Sequence, residues 1–199
     1  MVDLFVLSSG IALVITFLLF SINRSLYRFL SYCRLDHMTG LYRRDFYELK
    51  LNLTFGRAVI VLDIDEFKRI NDQYGHQQGD VVIKEVCHRI KQHMRRDDMA
   101  IRWGGEEFSL VMPGVDVQRA TEICERIRQQ IQHADYSHLG FGLTLTVSTG
   151  ISGSVALDDY RRLLIEADKA LYQAKSTGRN SVRVWKSPPG PTPIGSKSA

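Results

Sequence analysis

The chain begins with an uninterrupted apolar run that is followed by positive charge. Residues 4–22 contain no charged side chain, Asp3 precedes them, and Arg24 and Arg28 follow. A helix of this length spans about 28 Å, close to the roughly 30 Å hydrocarbon core of a bilayer. Because positive charge marks the cytoplasmic side, we expect residues 1–22 to be a single-pass anchor with the rest of the chain in the cytoplasm. The alternative is a secretory signal peptide, which has positive charge before a shorter apolar core.

The next segment, residues 23–35, predicts a helical stem. Its sequence "NRSLYRFLSYCRL" places Leu26, Phe29, Leu30 and Cys33 at three- and four-residue spacing, which is typical of a helix with one apolar stripe. The stripe packs either on its own domain or against a second copy of the chain. The segment is too short to establish a coiled coil.

Strand-like and helix-like patterns then alternate as far as residue 186. We expect strands at 58–64, 99–103, 107–112, 143–152 and 181–185, with helices at 45–53, 66–74, 81–94, 116–131 and 157–175. This order predicts one α+β domain over 36–186, in which a five-stranded sheet is surrounded by helices. The proline-rich segment 187–199 predicts a disordered tail.

Two glycines between two alternating runs predict a tight hairpin. Gly104 and Gly105 have the pattern of a two-residue turn, and Glu106 then begins the outgoing strand. A turn without side chains lets a ligand approach the backbone closely. Asp63 and Asp65 end an earlier buried strand, so the carboxylates converge at one sheet edge if the two strands are neighbours. Such a set suits Mg²⁺ or Mn²⁺ and, with magnesium, a nucleoside triphosphate.

Composition narrows the function only slightly. The net charge is +4, the apolar fraction is 44%, and the charged fraction is 24%, which is ordinary for a globular protein. No basic stripe interleaved with aromatic residues occurs, so we expect no nucleic acid partner. The three widely spaced cysteines, Cys33, Cys87 and Cys124, favour reduced thiols over disulfides or a zinc site.

Four segments carry a family resemblance. They are "DHMTGL" (36–41), "DIDEFKRINDQYGHQQGD" (63–80), "RWGGEEF" (102–108) and "ADKALYQAKSTGRN" (167–180). Together they resemble the successive signatures of GGDEF-type diguanylate cyclases. The resemblance implies a nucleotidyl-cyclase-like fold with a mostly antiparallel sheet. It also implies condensation of two GTP into cyclic di-3′,5′-GMP with release of two pyrophosphates.

The resemblance also implies catalytic roles for individual residues. Asp63, Glu106 and the Ile64 carbonyl oxygen would hold the Mg²⁺ or Mn²⁺ ions. Glu106 would also draw the proton from the ribose 3′-OH, and Glu107 would assist. Lys68 would meet the charge that grows on the triphosphate.

The same resemblance implies how the substrate is held. Asn71 and Asp80 would read the guanine edge, since a carboxylate accepts from both N1–H and the exocyclic amine. His76 would pack against the nucleotide, and Lys175 and Arg179 would hold the terminal phosphate. The expected substrate-binding set is Asn71, His76, Asp80, Gly104, Gly105, Lys175 and Arg179.

A charged turn before the hairpin resembles the inhibitory product site of the family. Arg95-x-x-Asp98, with Arg126 on a later helix, would bind cyclic di-GMP through paired hydrogen bonds. The alternative is an ordinary charged turn after a helix, with an arginine near its C-terminus.

One domain binds one GTP, so the resemblance implies a homodimer during turnover. We therefore expect a cyclase in a bacterial inner membrane, with GTP as substrate and cyclic di-GMP as product and inhibitor. The alternatives are a catalytically silent cyclic di-GMP receptor and an enzyme with another product, such as a hybrid cyclic GMP–AMP or the cyclic form of a single nucleotide. Met38, Arg43 and Asp45 depart from the usual family pattern near the stem, away from the expected metal site.

Overall fold

The structure is a computed structural model that describes residues 14–25, 34–47, 57–137, 144–154 and 160–186. The N-terminal residues 14–25 are helical (α1) and largely exposed. The remaining elements are β1 Tyr42–Arg43, α2 Arg44–Tyr47, β2 Arg57–Ile64, α3 Phe67–Tyr74, α4 His76–Gln92, β3 Met99–Arg102, β4 Glu107–Pro113, α5 Val117–His133, β5 Val147–Ser154, α6 Tyr160–Ser176 and β6 Val182–Val184.

The described strands form one mixed sheet of six strands in the order β1-β3-β4-β2-β5-β6. The central pairs β3–β4, β4–β2 and β2–β5 are antiparallel, whereas the edge strands β1 and β6 pair in parallel. The α+β fold with surrounding helices is confirmed, but the expected count of five strands was wrong. The additional strand, β1, has only two residues, too few for a periodic pattern to reveal.

The central strand β2 explains why the sheet is covered on both faces. All eight of its residues are buried, as expected for a strand with a layer of helix on each side. Ile60 and Leu62 join the larger apolar cluster with residues of α4 and α5. Val59 and Val61 face the opposite way and pack with residues of α6. The alternation along β2 therefore assigns α6 to the same face as Asp63.

A single residue separates α3 from α4. Gly75 has a φ of 83°, and its N–H donates to the Asn71 carbonyl oxygen, which ends α3. The chain then enters α4 at His76, so the expectation that this helix begins at residue 81 was wrong. Gly79 lies buried inside this helix, and its role is therefore close packing rather than loop flexibility.

The glycine hairpin is longer than the sequence pattern predicts. Arg102 pairs with Phe108, and the N–H of Trp103 donates to the Glu107 carbonyl oxygen at 2.9 Å. The turn therefore contains three residues, Gly104, Gly105 and Glu106. Neither glycine has a positive φ, whereas the two-residue turns favoured in hairpins require one. Glu106 lies in the turn itself and not in β4.

The expected membrane segment is only partly described. No helix within the described ranges is both long enough and apolar enough to cross a bilayer. Residues 4–13 of that segment, residues 26–33 of the expected stem and the tail 187–199 lie outside the described residues.

Candidate active site

The structure brings the two acidic motifs together at one edge of the sheet. Asp63, near the end of β2, pairs directly with Glu107 at the start of β4. The backbone N–H of Ile64 donates to the Glu106 carbonyl oxygen at 3.3 Å. The strand neighbours anticipated from sequence are therefore present, and it is Glu107 that lies opposite Asp63.

Asp63 is a buried carboxylate with one cation beside it. Its side chain is only 4% exposed, and Lys175 Nζ of α6 lies 2.8 Å from Asp63 Oδ2. Burial raises the pKa of Asp63 to about 6; Lys175 acts to lower it, and the charges of Glu106 and Glu107 act to raise it further. Asp63 is thus held in an environment that disfavours its negative charge, even with the ammonium group in place.

This environment fits a divalent cation. The acidic groups interact strongly enough to shift the Asp63 pKa, and hard oxygen donors suit Mg²⁺ or Mn²⁺. Within the described ranges, no cluster of three or more His, Cys, Asp or Glu side chains is placed to hold a metal ion alone. Two carboxylates with a backbone carbonyl suit magnesium, which is usually bound by one or two protein carboxylates together with waters and substrate phosphates.

The second aspartate of the "DID" motif does not join this group. Asp65 accepts hydrogen bonds from Thr146 Oγ1, Ser148 Oγ and the Asn180 backbone N–H. It therefore ties the turn after β2 to β5 and to the segment after α6. These donors lie far away in the sequence, so no local pattern revealed this role.

The expected guanine-reading residues lie on the two helices joined by Gly75. Asn71 is on α3, and its buried Oδ1 has no hydrogen-bond partner. A Cβ added to Gly79 on α4 would lie 1.9 Å from that oxygen, so the absent side chain is what makes room for Asn71. Asp80 and His76 are exposed on the first turns of α4. A buried acceptor without a donor is unusual in a folded protein, and it fits a base that donates to Asn71.

The residues expected to meet the phosphates have different surroundings: one forms an ion pair, and two are exposed. Lys175, in the last turn of α6, is engaged with Asp63. Arg179 follows the helix, is exposed, and has a φ of 60°. Lys68 is exposed on the first turn of α3. The phosphate-binding roles remain predictions. Of these three residues, Lys175 is the one that contacts an acidic residue of the site.

Two of the expected inhibitory residues, Arg95 and Asp98, form a turn, and the third, Arg126, lies on α5. The backbone N–H of Arg95 donates to Asp98 Oδ2 at 2.7 Å, and the Asp98 N–H donates to the Arg95 carbonyl oxygen. This closes a compact turn between α4 and β3, and Arg95 is exposed. Arg126 is exposed on α5. The geometry agrees with both the inhibitory and the simple-turn interpretation.

Sequence reasoning missed a link between the first motif and the hairpin. Arg102 donates to both oxygens of Asp36, at 3.1 and 3.2 Å, and also to the Gly105 carbonyl oxygen. Burial acts to raise the pKa of Asp36, but hydrogen bonds from Thr39 and the charge of Arg102 lower it overall. The available signal was the adjacency of Arg102 to the two glycines in "RWGGEEF".

Comparisons with known proteins agree with this geometry. Residues 33–181 match the family described as "Diguanylate cyclase, GGDEF domain". Diguanylate cyclase A of Treponema denticola is 38% identical over 130 residues, covering 65% of this chain and 35% of its own. The response regulator PleD of Caulobacter vibrioides is 36% identical over 158 residues, covering 74% of this chain and 35% of its own.

A solved structure resembles the chain over most of its length. It contains the coiled coil and GGDEF domain of DgcB from Caulobacter crescentus in complex with c-di-GMP. It aligns with a TM-score of 0.76 and 27% identity, covering 85% of this chain and 94% of that chain. The chain spans only about a third of each of the two curated relatives. On the family match and the shared fold, the chain belongs to the GGDEF domain family of diguanylate cyclases.

Proposed function

We propose that the chain is a diguanylate cyclase that condenses two GTP into cyclic di-3′,5′-GMP and two pyrophosphates. The observation that carries the proposal is the pairing of Asp63 with Glu107 across β2 and β4. Beside this pair, the Ile64 backbone N–H donates to the Glu106 carbonyl oxygen, which brings the glycine turn to the same place. Relatives named as diguanylate cyclases and a structural neighbour that binds c-di-GMP support the same activity.

Asp63, Glu106 and the Ile64 carbonyl oxygen are the groups that would hold Mg²⁺ or Mn²⁺. When bound, the metal supplies Lewis-acid activation of the attacking oxygen and neutralises triphosphate charge. Lys175, which contacts Asp63 in this structure, has a flexible stem that would let its ammonium group turn toward the phosphates if a cation were bound at Asp63. Glu106 accepts the proton from the 3′-OH, with Glu107 beside it.

The bond changes require two nucleotides that face each other. The ribose 3′ oxygen of one GTP attacks the α-phosphorus of the other, and the bond from that phosphorus to the bridging oxygen breaks. Pyrophosphate leaves with the electron pair, and repeating the step in the opposite direction closes the ring. Each domain contributes one nucleotide, so we propose a homodimer during turnover, with the stem raising the local concentration.

The proposed selection of guanine depends on residues of α3 and α4, the two helices that Gly75 joins. Asn71 Oδ1 is buried without a donor, and Asp80 is exposed on α4. Both groups accept hydrogen bonds from the N1–H and amine edge of guanine. Adenine lacks the N1–H, so binding ATP would leave an acceptor unpaired, a mismatch that discriminates by roughly 10⁴ in comparable sites.

Three finer features belong to the same proposal. The turn Arg95 to Asp98, together with Arg126, is proposed to bind the product and inhibit the enzyme. Residues 4–22 are proposed to anchor the chain in a bacterial inner membrane, supported by their uncharged sequence and the arginines that follow. His76 is proposed to pack against the nucleotide, since it begins the helix that carries Asp80.

The direct test is incubation of the purified full chain with GTP and Mg²⁺, followed by identification of the product by mass. Cyclic di-GMP from the wild type, and its near absence with Glu106→Gln, is the expected result. The exposed variant Gln77→Ala serves as a matched control. Equal product from the wild type and Glu106→Gln would contradict the mechanism, whereas product binding without synthesis would favour the silent receptor.

A further inference from the structure

Asp65 is a buried carboxylate beside the candidate active site that accepts three hydrogen bonds. It is 7% exposed, and Oδ1 accepts from Ser148 Oγ at 2.7 Å. Oδ2 accepts from Thr146 Oγ1 at 2.8 Å and from the Asn180 backbone N–H at 3.0 Å. Three donors from two distant segments satisfy this side chain, so its role is to join segments and not to bind a metal.

The segment after α6 has an unusual backbone. Gly178, Arg179 and Asn180 have consecutive φ values of 111°, 60° and 45°. The Arg179 N–H donates to the Ala174 carbonyl oxygen at 3.0 Å, which is the long bond of a glycine-capped helix end. Glycine adopts a positive φ readily and asparagine tolerates it, but arginine rarely does. Surrounding contacts must therefore stabilise the conformation of Arg179.

Those contacts converge on the neighbouring Asn180. Its backbone N–H is bound by Asp65, and its Oδ1 accepts from Arg128 Nη1 of α5 at 2.7 Å. Arg128 is itself held by Glu125. Arg179 is exposed and lines a cavity of about 650 Å³ together with Asp65 and Asn180. The fixed backbone on either side of Arg179 thus sets the direction in which its side chain leaves the main chain.

We propose that Asp65 is a positioning residue that holds Arg179 in place, through Asn180, for the terminal phosphate of GTP. The inference rests on the proposed function. It assigns a specific task to the second aspartate of the "DID" motif. Asp65 is two residues from Asp63, so the end of β2 and the turn after it carry both the proposed metal-binding carboxylate and the acceptor that anchors the proposed phosphate-binding segment. The distance between the reacting edge and Arg179 is thereby set within one short stretch of backbone.

The test measures nucleotide binding to the full chain in Mg²⁺. One probe is a GTP analogue with a methylene group between its α- and β-phosphorus atoms, and the other is GMP. Asp65→Ala is expected to weaken binding of the analogue about tenfold, the loss typical of one charged hydrogen bond, and to change GMP binding by less than about twofold. Arg179→Ala should give the same pattern. The double variant should bind the analogue no more weakly than Arg179→Ala.

Asp65→Asn is the conservative rescue. Its amide oxygen can accept from Thr146 and Asn180, while its amide N–H donates to the Ser148 hydroxyl, so the analogue should bind within about threefold of wild type. Asp63→Asn, which changes a proposed metal ligand, should not be rescued in this way. A loss of affinity with Asp65→Asn as large as that with Asp65→Ala would overturn the positioning role.

Two further outcomes decide the inference. Additive losses in the double variant, or an equal loss for GMP, would show that Asp65 acts only on general stability. Should Asp65→Ala melt below the assay temperature, Thr146→Val tests the same link, because it removes the hydroxyl that holds the Asp65 oxygen bound by the Asn180 N–H. Unchanged analogue binding by Thr146→Val would then overturn the proposal. Failure of the wild type to bind the analogue at all would instead count against the proposed function.

Discussion

Lys175 Nζ lies 2.8 Å from Asp63 Oδ2, at the edge of the sheet where Glu107 pairs with Asp63 across two strands. One ammonium group faces a buried aspartate whose pKa is raised by burial and further by the charges of Glu106 and Glu107. Without a metal ion, Lys175 thus neutralises only part of the negative charge of Asp63, Glu106 and Glu107. The substrate-bound metal is proposed to neutralise the rest. We therefore expect the fold to be more stable at neutral pH with an uncharged residue at position 63.

The first prediction concerns stability and pH in the absence of divalent cations. The pKa of Asp63 is raised from 3.8 to about 6, so between these values the native state binds more protons than the unfolded state. The free energy of unfolding therefore falls as pH rises through this window, by up to about 3 kcal/mol at pH 7. Asp63→Asn should be more stable than wild type at pH 7 and equal to it near pH 4, measured by urea unfolding in EDTA.

The exposed Asp72→Asn is the control for this measurement and should follow the wild-type curve. A difference between wild type and Asp63→Asn that stays constant from pH 4 to pH 7 would contradict the assigned cause.

The second prediction concerns Gly79. An added methyl group would lie 1.9 Å from Asn71 Oδ1, so Gly79→Ala must displace that side chain. The KM for GTP should rise by about tenfold or more, because a base-reading acceptor is lost. Gln77→Ala, on the exposed face of the same helix, is the matched control and should keep the wild-type KM. An unchanged KM in Gly79→Ala would exclude Asn71 from base recognition.

The third prediction concerns the link between Asp36 and the hairpin. Arg102 holds Asp36 and the Gly105 carbonyl oxygen simultaneously. Arg102→Gln should lower kcat about tenfold, because the turn that carries Glu106 loses its support. Arg43→Gln breaks an exposed ion pair with Asp45 and should leave kcat unchanged. Equal kcat values for the two variants would show that the Asp36 link does not affect the turn.

The fourth prediction concerns the packing of α6 on β5. A Cβ at Gly150 would lie 2.0 Å from the Ala167 carbonyl oxygen and 2.2 Å from the Leu171 nitrogen, both backbone atoms. Gly150→Ala should lower the free energy of unfolding by about 3 kcal/mol, since the helix must move away. Gly114→Ala, at a turn with a φ of 66° and open space around it, should lose only about 1 kcal/mol. Chemical unfolding of both variants checks the order, and a reversed order would contradict the close approach.

The parts of the fold that the sequence predicted have strong local patterns. The buried run of β2 and the apolar faces of α5 and α6 each extend over many residues, so their periods are clear. The two residues of β1 carry no period at all. The start of α4 was misplaced because the apolar face of this helix begins only at Val82, after Gly79, whose missing side chain makes room for Asn71.

In the candidate site, too, the residues that could be predicted are those with a clear local pattern in the sequence. Asp63 stands at a recognisable strand end and Glu106 directly follows the glycine pair, so their approach followed from the expected pairing of two strands. The partners of Asp65, by contrast, are 81, 83 and 115 residues away. The Asp36–Arg102 pair spans 66 residues. Contacts at such separations depend on the complete tertiary arrangement, which no local spacing encodes.

The single-residue joint at Gly75 separates two properties of the enzyme. Asn71 and Asp80 belong to helices whose relative angle depends on this one glycine, around which no atom lies within 4 Å of an added Cβ. The carboxylates of the reacting edge belong to β2, β4 and their turn. On the roles proposed for these residues, a change at the joint would reposition Asn71 relative to Asp80 while the carboxylates on the sheet stay in place, so the accepted purine would change without loss of the metal-binding groups.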